Sequence, residues 1–248
     1  MQNTVIVITG ASGGIGATVA EQLAARGASL VLVARRADAL HAVAERCGAH
    51  ALPIVADVTN RSEVNRVTAQ AIAHFGHIDV WLNNVGQGIS RMPSELTDDD
   101  IDEVMRVNVK SALYGMQAIL PHFKARGTGH IINVSSMLGR VPFAVIRSAY
   151  SGAKHFLNAL TANMRTELQQ THPGIQISLV SPGVVRTDFG LNARHGGVDS
   201  RHLPDSQSAE EVAAVVVNVI ETRRPDVYTR TGSKERVAQY FQTMGEDP

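Results

Sequence analysis

The chain is 248 residues long, carries 23 basic against 23 acidic side chains, and is 44% hydrophobic but only 4% aromatic. A balanced charge supplies no bulk field for nucleic acid or an anionic membrane, while the apolar share supports one sizeable core of Val, Ile, Leu and Ala. Cys47 is the only cysteine, which excludes an internal disulfide; with no basic leader and no apolar run near the roughly 18 residues that cross a bilayer, a soluble cytoplasmic protein is expected.

Thr4-Val-Ile-Val-Ile-Thr9 is a β-branched run bounded by glycine and reads as a buried strand. Gly10-Ala-Ser-Gly-Gly-Ile-Gly16 follows, then Ile15, Val19 and Leu23 recur at helical spacing up to the stop signal Arg26-Gly27. A glycine turn between strand and helix lets the backbone approach a pyrophosphate and aims helix N–H groups at its charge, so a dinucleotide site is the natural reading of this GxxxGxG turn. Ser29–Ala34 is the second strand. At its C-terminal end an acid would bind the adenosine ribose 2′-hydroxyl, but Ala34-Arg35-Arg36 stands there, which favours a 2′-phosphate on Arg35 and hence NADP(H), with NAD(H) the alternative.

Further strands are expected at Ala51–Ala56, Asp79–Leu82, His130–Ser135, Gln176–Ser181 and Val227–Thr229, with helices between them. Asp57, just past the third strand, suits either the adenine amino group or a helix-capping role. Asn83-Asn-Val-Gly86 ends the fourth strand and is expected to line the cofactor cleft, whereas Trp81 suits packing. Thr97-Asp-Asp-Asp100 opens a helix with acids at its positive end and reads as a solvated cap; that helix is expected to run unbroken to about Phe123, carrying Asn108 where asparagine is a mediocre helix former. Ser135-Ser136 closes the fifth strand, and the apolar loop after it, with Phe143, Val145 and Ile146, suits a substrate wall. Residues 186–206 have little periodicity and read as a mobile lid; His195 and His202 there suit solvated loop positions, so no metal site is expected.

Tyr150-Ser-Gly-Ala-Lys154 places a phenol and an ammonium on one face of a helix expected over 148–170. A free tyrosine titrates near about 10, so a neighbouring cation would make it a better acid-base group, which points to proton transfer at a hydroxyl or carbonyl.

Taken together, Thr9-Gly-Ala-Ser-Gly-Gly-Ile-Gly16, Asn83-Asn-Val-Gly86, Asn108, Ser136 and Tyr150-xxx-Lys154 resemble the signature set of the short-chain dehydrogenase/reductase family, in order and along nearly the whole chain. The resemblance implies one domain over 1–248, a Rossmann-type three-layer α/β sandwich on a mostly parallel, seven-stranded sheet. It implies Tyr150 as general acid/base, Lys154 binding the nicotinamide ribose and lowering the tyrosine pKa, Ser136 holding the substrate oxygen, and Asn108 supporting a relay water. It matches Gly10, Ser12, Gly14, Ile15 and Gly16 to the pyrophosphate loop, Asp57 and Val58 to the adenine site, and Asn84 and Gly86 to the cleft wall. Pro182, Gly183, Val185 and Thr187, within Pro182-Gly-Val-Val-Arg-Thr187, match the nicotinamide side.

Three departures stand out. The fourteen residues from Ser136 to Tyr150 are one more than the family's usual spacing, so the loop must bulge if Ser136 is the catalytic serine, with Ser135 as the alternative. Gly13 replaces a basic residue that many NADP-using relatives carry in the turn, and the C-terminal stretch lacks the double glycine common in tetramers. The expected activity is hydride transfer between NADP(H) and a small-molecule substrate, a hydrophobic or medium-sized carbonyl compound or the matching secondary alcohol, by a homo-oligomer, dimer or tetramer. The alternative is a non-catalytic NADP(H)-binding sensor or scaffold on the same fold.

Overall fold

The computed structural model describes residues 1–245. Its first strand, β1 (Val5–Thr9), is buried along its whole length, because both of its faces are covered. Ile6 and Ile8 enter one core with Val19 and Leu23 of α1 (Gly14–Ala24) and Val216 of α7 (Ala209–Thr222). Val5 and Val7 enter the opposite core with Val64 and Val67 of α3 (Arg61–Phe75) and Met116 and Ile119 of α5 (Ser111–Arg126). Period-2 alternation on a doubly covered strand thus builds two hydrophobic layers, each buried aliphatic side chain contributing about 1.5–3 kcal/mol.

The remaining strands are β2 (Ser29–Ala34), β3 (Ala51–Val55), β4 (Val80–Asn83), β5 (Gly129–Val134), β6 (Ile175–Ser181) and β7 (Asp226–Tyr228). They form one seven-stranded sheet in the order β3-β2-β1-β4-β5-β6-β7. Every neighbouring pair is parallel, so the expected mostly parallel sheet is parallel throughout. With α2 (Ala37–Cys47) joining the α1 layer and α6 (Ser148–Thr171) the α3 layer, the molecule is a three-layer α/β sandwich. Pro53 is tolerated in β3 because that strand lies at the sheet edge. A last helix, α8 (Ser233–Gln242), follows β7. Among the described residues no helix is long and apolar enough to cross a membrane.

The helix expected to run unbroken to about Phe123 is divided. A first segment, α4 (Asp98–Met105), is followed by one π turn at Arg106–Lys110 and then by α5. The π turn carries Asn108, and a single extra residue in the ladder is the usual signature of a side chain that must be aimed somewhere specific.

Candidate active site

The strand order turns back at the boundary of β1 and β4, where an open parallel sheet presents a crevice at the C-terminal strand ends. There Gly10 and Gly14 take φ of 70° and 53°, the left-handed region open to glycine. The chain enters α1 through Gly13, with no side-chain cap and no acid in the first turn, so the leading N–H groups suit an anion. Gly16 permits the closest approach: a Cβ there would stand 2.4 Å from the Gly10 carbonyl oxygen and 2.7 Å from Asn84 Nδ2. Asn84 holds the turn in shape, its N–H donating to the Thr9 hydroxyl at 3.0 Å and its Nδ2 to the Thr9 carbonyl at 3.2 Å. Ser12 lies in the turn, and Ile15 packs inward on the α1 core.

Arg35 and Arg36 leave the end of β2 in different directions. Arg36 folds over the glycine turn, donating from Nη2 to the Ser12 carbonyl at 3.2 Å and to the Ser12 hydroxyl at 3.3 Å. Its Nη2 lies 3.2 Å from where a Gly13 Cβ would stand. Arg35 is exposed, and its charge acts on Asp57 and Glu103. The Asp57 carboxylate accepts from the Thr59 N–H at 2.9 Å and the Thr59 hydroxyl at 2.8 Å, and the cap of α3 is Asn60 instead. Against the desolvation that raises it, these bonds and the charges of Arg35 and Arg106 hold the Asp57 carboxyl below its ordinary value. Val58 buries its side chain in the α3 core, so only its backbone is left for the crevice.

On α6, Tyr150, Lys154 and Asn158 succeed one another at i, i+4 and i+8, on the face turned to the end of β5. The two serines after β5 separate. Ser135 donates to Asn158 Oδ1 at 2.5 Å, whereas the Ser136 hydroxyl accepts the Leu138 N–H at 3.1 Å and acts on the Tyr150 phenol, pulling its pKa down. The bulge expected between Ser136 and Tyr150 contains two 3-10 turns, Met137–Gly139 and Val145–Arg147. The first is pinned by the Met137 N–H on the Pro182 carbonyl at 2.7 Å and by Asn158 Nδ2 on the Gly139 carbonyl at 2.6 Å.

Asn108 is fully buried. Its Nδ2 donates to the Gln87 carbonyl and the Val104 carbonyl at 3.0 Å each, and its Oδ1 accepts the Gln87 N–H at 3.1 Å. The amide therefore fixes the loop after β4 next to Gly86, where a Cβ would stand 3.2 Å from Asn108 Oδ1 and 3.6 Å from Lys154 Nζ. Asn83 does not line the crevice. It turns into the core, accepting from Trp81 Nε1 at 2.8 Å and donating to Asn133 Oδ1 at 2.9 Å, because Trp81 is fully buried and its N–H needs a partner there.

Tyr150 and Lys154 are buried, 6% and 2% exposed. Burial pushes the phenol up to about 12, while the Ser136 hydroxyl and the Arg147 charge pull the other way. Burial likewise pushes the Lys154 ammonium down to about 8. The Lys154 Nζ donates to the Val134 carbonyl at 3.0 Å. The ring of Phe189 leans on Tyr150 with centroids 5.5 Å apart.

Past β6, Pro182 and Gly183 lead to Val185, which is buried and paired with Gln207, and to Thr187, which closes on the glycine turn. A Cβ on Gly14 would stand 3.3 Å from Thr187 Cγ2. The following irregular segment is tied down at Asp100. That residue was expected to be a solvated cap, but its side chain is 0% exposed. It completes a capping box with Thr97 and also accepts from Arg91 Nη1, Arg194 Nε and His195 Nε2, each at 2.7 Å. The His195 bond first, then those of Arg91 and Thr97, hold the carboxyl well below the usual carboxylate range. Its own partners cover it, and they come from segments far apart in sequence.

Arg36, Phe189, Asn158 and Arg147 were not singled out from sequence. Asn158 alone had a visible signal, since it continues the Tyr150 and Lys154 face by one more turn.

Comparison with known proteins agrees with this geometry. The family model described as short chain dehydrogenase matches residues 4–196. An oxidoreductase of Staphylococcus epidermidis, itself called uncharacterized, is 36% identical over 232 residues, covering 91% of this chain and 98% of its own. A short-chain dehydrogenase/reductase from Burkholderia phymatum, solved in complex with NAD, shares the fold with a TM-score of 0.88 at 24% identity, covering 100% of this chain and 98% of its own. An alcohol dehydrogenase from Thermococcus sibiricus, complexed with 5-hydroxy-NADP, gives a TM-score of 0.79 at 25% identity, covering 91% and 95%.

Proposed function

Since this chain belongs to the short-chain dehydrogenase family, we propose that it is an NADP(H)-dependent oxidoreductase that interconverts a carbonyl compound and a secondary alcohol, with Tyr150 as its acid-base group. The residues present fit a nicotinamide dinucleotide: an uncapped α1 terminus without an acid, a turn that a Cβ at Gly16 would fill, and two arginines with no acid at the end of β2. When bound, that cofactor supplies or accepts the hydride.

One observation carries the reading. A buried phenol, held down by the Ser136 hydroxyl and the Arg147 charge against the burial that raises it, has Lys154 on the next turn of the same helix and the glycine turn across the crevice. A phenol pushed up to about 12 is protonated at neutral pH, so it is set as a proton donor, the role that reduction requires. Ser136 and Tyr150 would hold the substrate oxygen, and Tyr150 would give it the proton. Lys154 would keep a positive charge below the phenol and bind ribose hydroxyls. Asn108, with both amide hydrogens engaged, would act by fixing Gln87 and Gly86 in place.

For the cofactor, the reading rests on Arg35 with Arg36 beside it: the Arg36 guanidinium occupies the space over Gly13, where the turn itself lacks a basic side chain. The segment 186–206 would act as the substrate lid, and the active form would be a homo-oligomer. The test is oxidation of NADPH, followed at its absorbance band, with ketones, aldehydes and quinones. Turnover of at least one class is expected. Tight NADPH binding with no turnover of any would favour the sensor reading instead.

A further inference from the structure

Arg147 ends the second 3-10 turn and precedes α6, three residues before Tyr150, and its charge acts on the Tyr150 phenol. Its guanidinium is half-buried and fills a slot between two glycines from distant segments. A Cβ on Gly88, in the loop after β4, would stand 2.5 Å from Nη1, and one on Gly197, in the segment after β6, would stand 2.9 Å from Nη2. The slot exists because both positions lack a side chain. Nη1 donates to the Ile89 carbonyl at 3.0 Å. Among the described residues no carboxylate pairs with this arginine, unlike Arg91 and Arg194 on the same segments, which both hold Asp100. Chain neighbours of the slot repeat the pattern: the hydroxyls of Ser148, beside Arg147, and Ser90, beside Ile89, are shut from water without a partner among the described residues. Buried polar groups left unmatched by the protein mark a place where something else completes them.

A guanidinium has five N–H donors in a planar fork, and the Nη2 and Nε edge suits the two oxygens of a carboxylate. Near it stand the acid-base phenol and the Phe189 ring, whose Cε1 would lie 3.2 Å from a Gly88 Cβ. We propose that Arg147 binds the carboxylate of the substrate, so that the protein acts on short oxo acids or the matching hydroxy acids in preference to neutral ketones. The proposal rests on the oxidoreductase reading for the reaction but not for the binding. The burial that lowers the Arg147 guanidinium is the cost an anion would offset on arrival.

The test measures binding apart from turnover. Full-length protein is titrated with pyruvate, acetoacetate and levulinate and with their methyl esters, by ligand-observed NMR, in wild type, Arg147→Lys and Arg147→Met. At least one acid should bind at least about tenfold more tightly than its ester; Arg147→Met should remove that margin and Arg147→Lys retain part of it. Esters that bind wild type as tightly as the acids overturn the proposal, whether or not the variants fold, and so does a margin that survives in Arg147→Met. Acid binding that depends on Arg147 without any NADPH oxidation would remove the oxidoreductase reading and leave the site. Turnover of neutral ketones with no acid margin would do the reverse.

Discussion

The Lys154 ammonium lies 5.7 Å from the centre of the Tyr150 ring and spends a hydrogen bond on the Val134 carbonyl at the end of β5. That bond registers the lysine against the sheet. Burial acts on the two side chains in opposite directions, raising the phenol and lowering the ammonium, because in each case it disfavours the charged form.

Tyr150→Phe removes the proposed proton donor and leaves a ring of nearly the same shape against Phe189. Turnover should fall by about a thousandfold, within the range that general acid-base catalysis supplies, while NADPH affinity, read by fluorescence titration, changes by less than about threefold. Near-normal turnover would remove Tyr150 from the chemistry.

Lys154 gives a pH signature of stability. Its ammonium titrates near 8 in the folded protein against an ordinary 10.5, so between these values the unfolded chain holds more protons and stability rises with pH. Relative to Lys154→Met, wild type should gain on the order of 3 kcal/mol across that window in urea unfolding without cofactor. Tyr150, near 12 against an ordinary 10.0, works the other way and costs stability above about pH 10. A wild-type-minus-Met difference that stays flat from pH 8 to 10.5 would show that Lys154 is not forced toward neutrality.

The strands and their order of chemistry were legible in the sequence because they depend on local pattern: a β-branched run, a glycine turn, then apolar residues at helical spacing. Tyr150, Lys154 and Ser136 were legible for the same reason, each lying at the end or on the face of a periodic element. What escaped depends on tertiary aim. Asp100 looks like a helix cap in sequence and is one, yet its second oxygen is claimed by Arg194 and His195, far along the chain. Asn83 and Asn84 are adjacent and chemically identical, but strand alternation sends Asn83 to the buried Trp81 and the main-chain turn leaves Asn84 at the glycine loop. The π turn at Asn108 follows from bonds to Gln87 that no local propensity encodes.

Arg35 and Arg36 separate the two ways in which the end of β2 could select a cofactor. Arg35→Asp should shift the NADPH to NADH ratio of kcat/KM by at least about tenfold, a charge-assisted contact to phosphate being lost and a repulsive one gained. Arg36→Ala should also weaken NADPH, and by more than NADH, if its guanidinium over Gly13 supplements the 2′-phosphate site. Both ratios unchanged would mean that neither arginine reads the 2′-phosphate.

Asp100→Asn tests whether one carboxylate fastens the segment after β6. The substitution keeps the shape but removes the charge that faces His195, Arg91 and Arg194, and an amide cannot accept from all three while presenting N–H groups to cations. The main-chain bonds alongside, Arg194 N–H to Gly88 and Ser90 N–H to Arg194, should then open more often. Hydrogen exchange at those two amides is expected to quicken by at least about tenfold in the variant, and limited proteolysis should cut within 186–206 sooner. Because the His195 bond and its companions hold the wild-type carboxyl well below the ordinary range, what it contributes is present above the unfolded value near about 3.9 and is lost only as pH falls through the lower folded value. Wild-type protection, corrected for intrinsic exchange, should therefore persist from pH 7 down to about pH 4. Equal protection in both proteins would show that the backbone pairing alone keeps this segment in place.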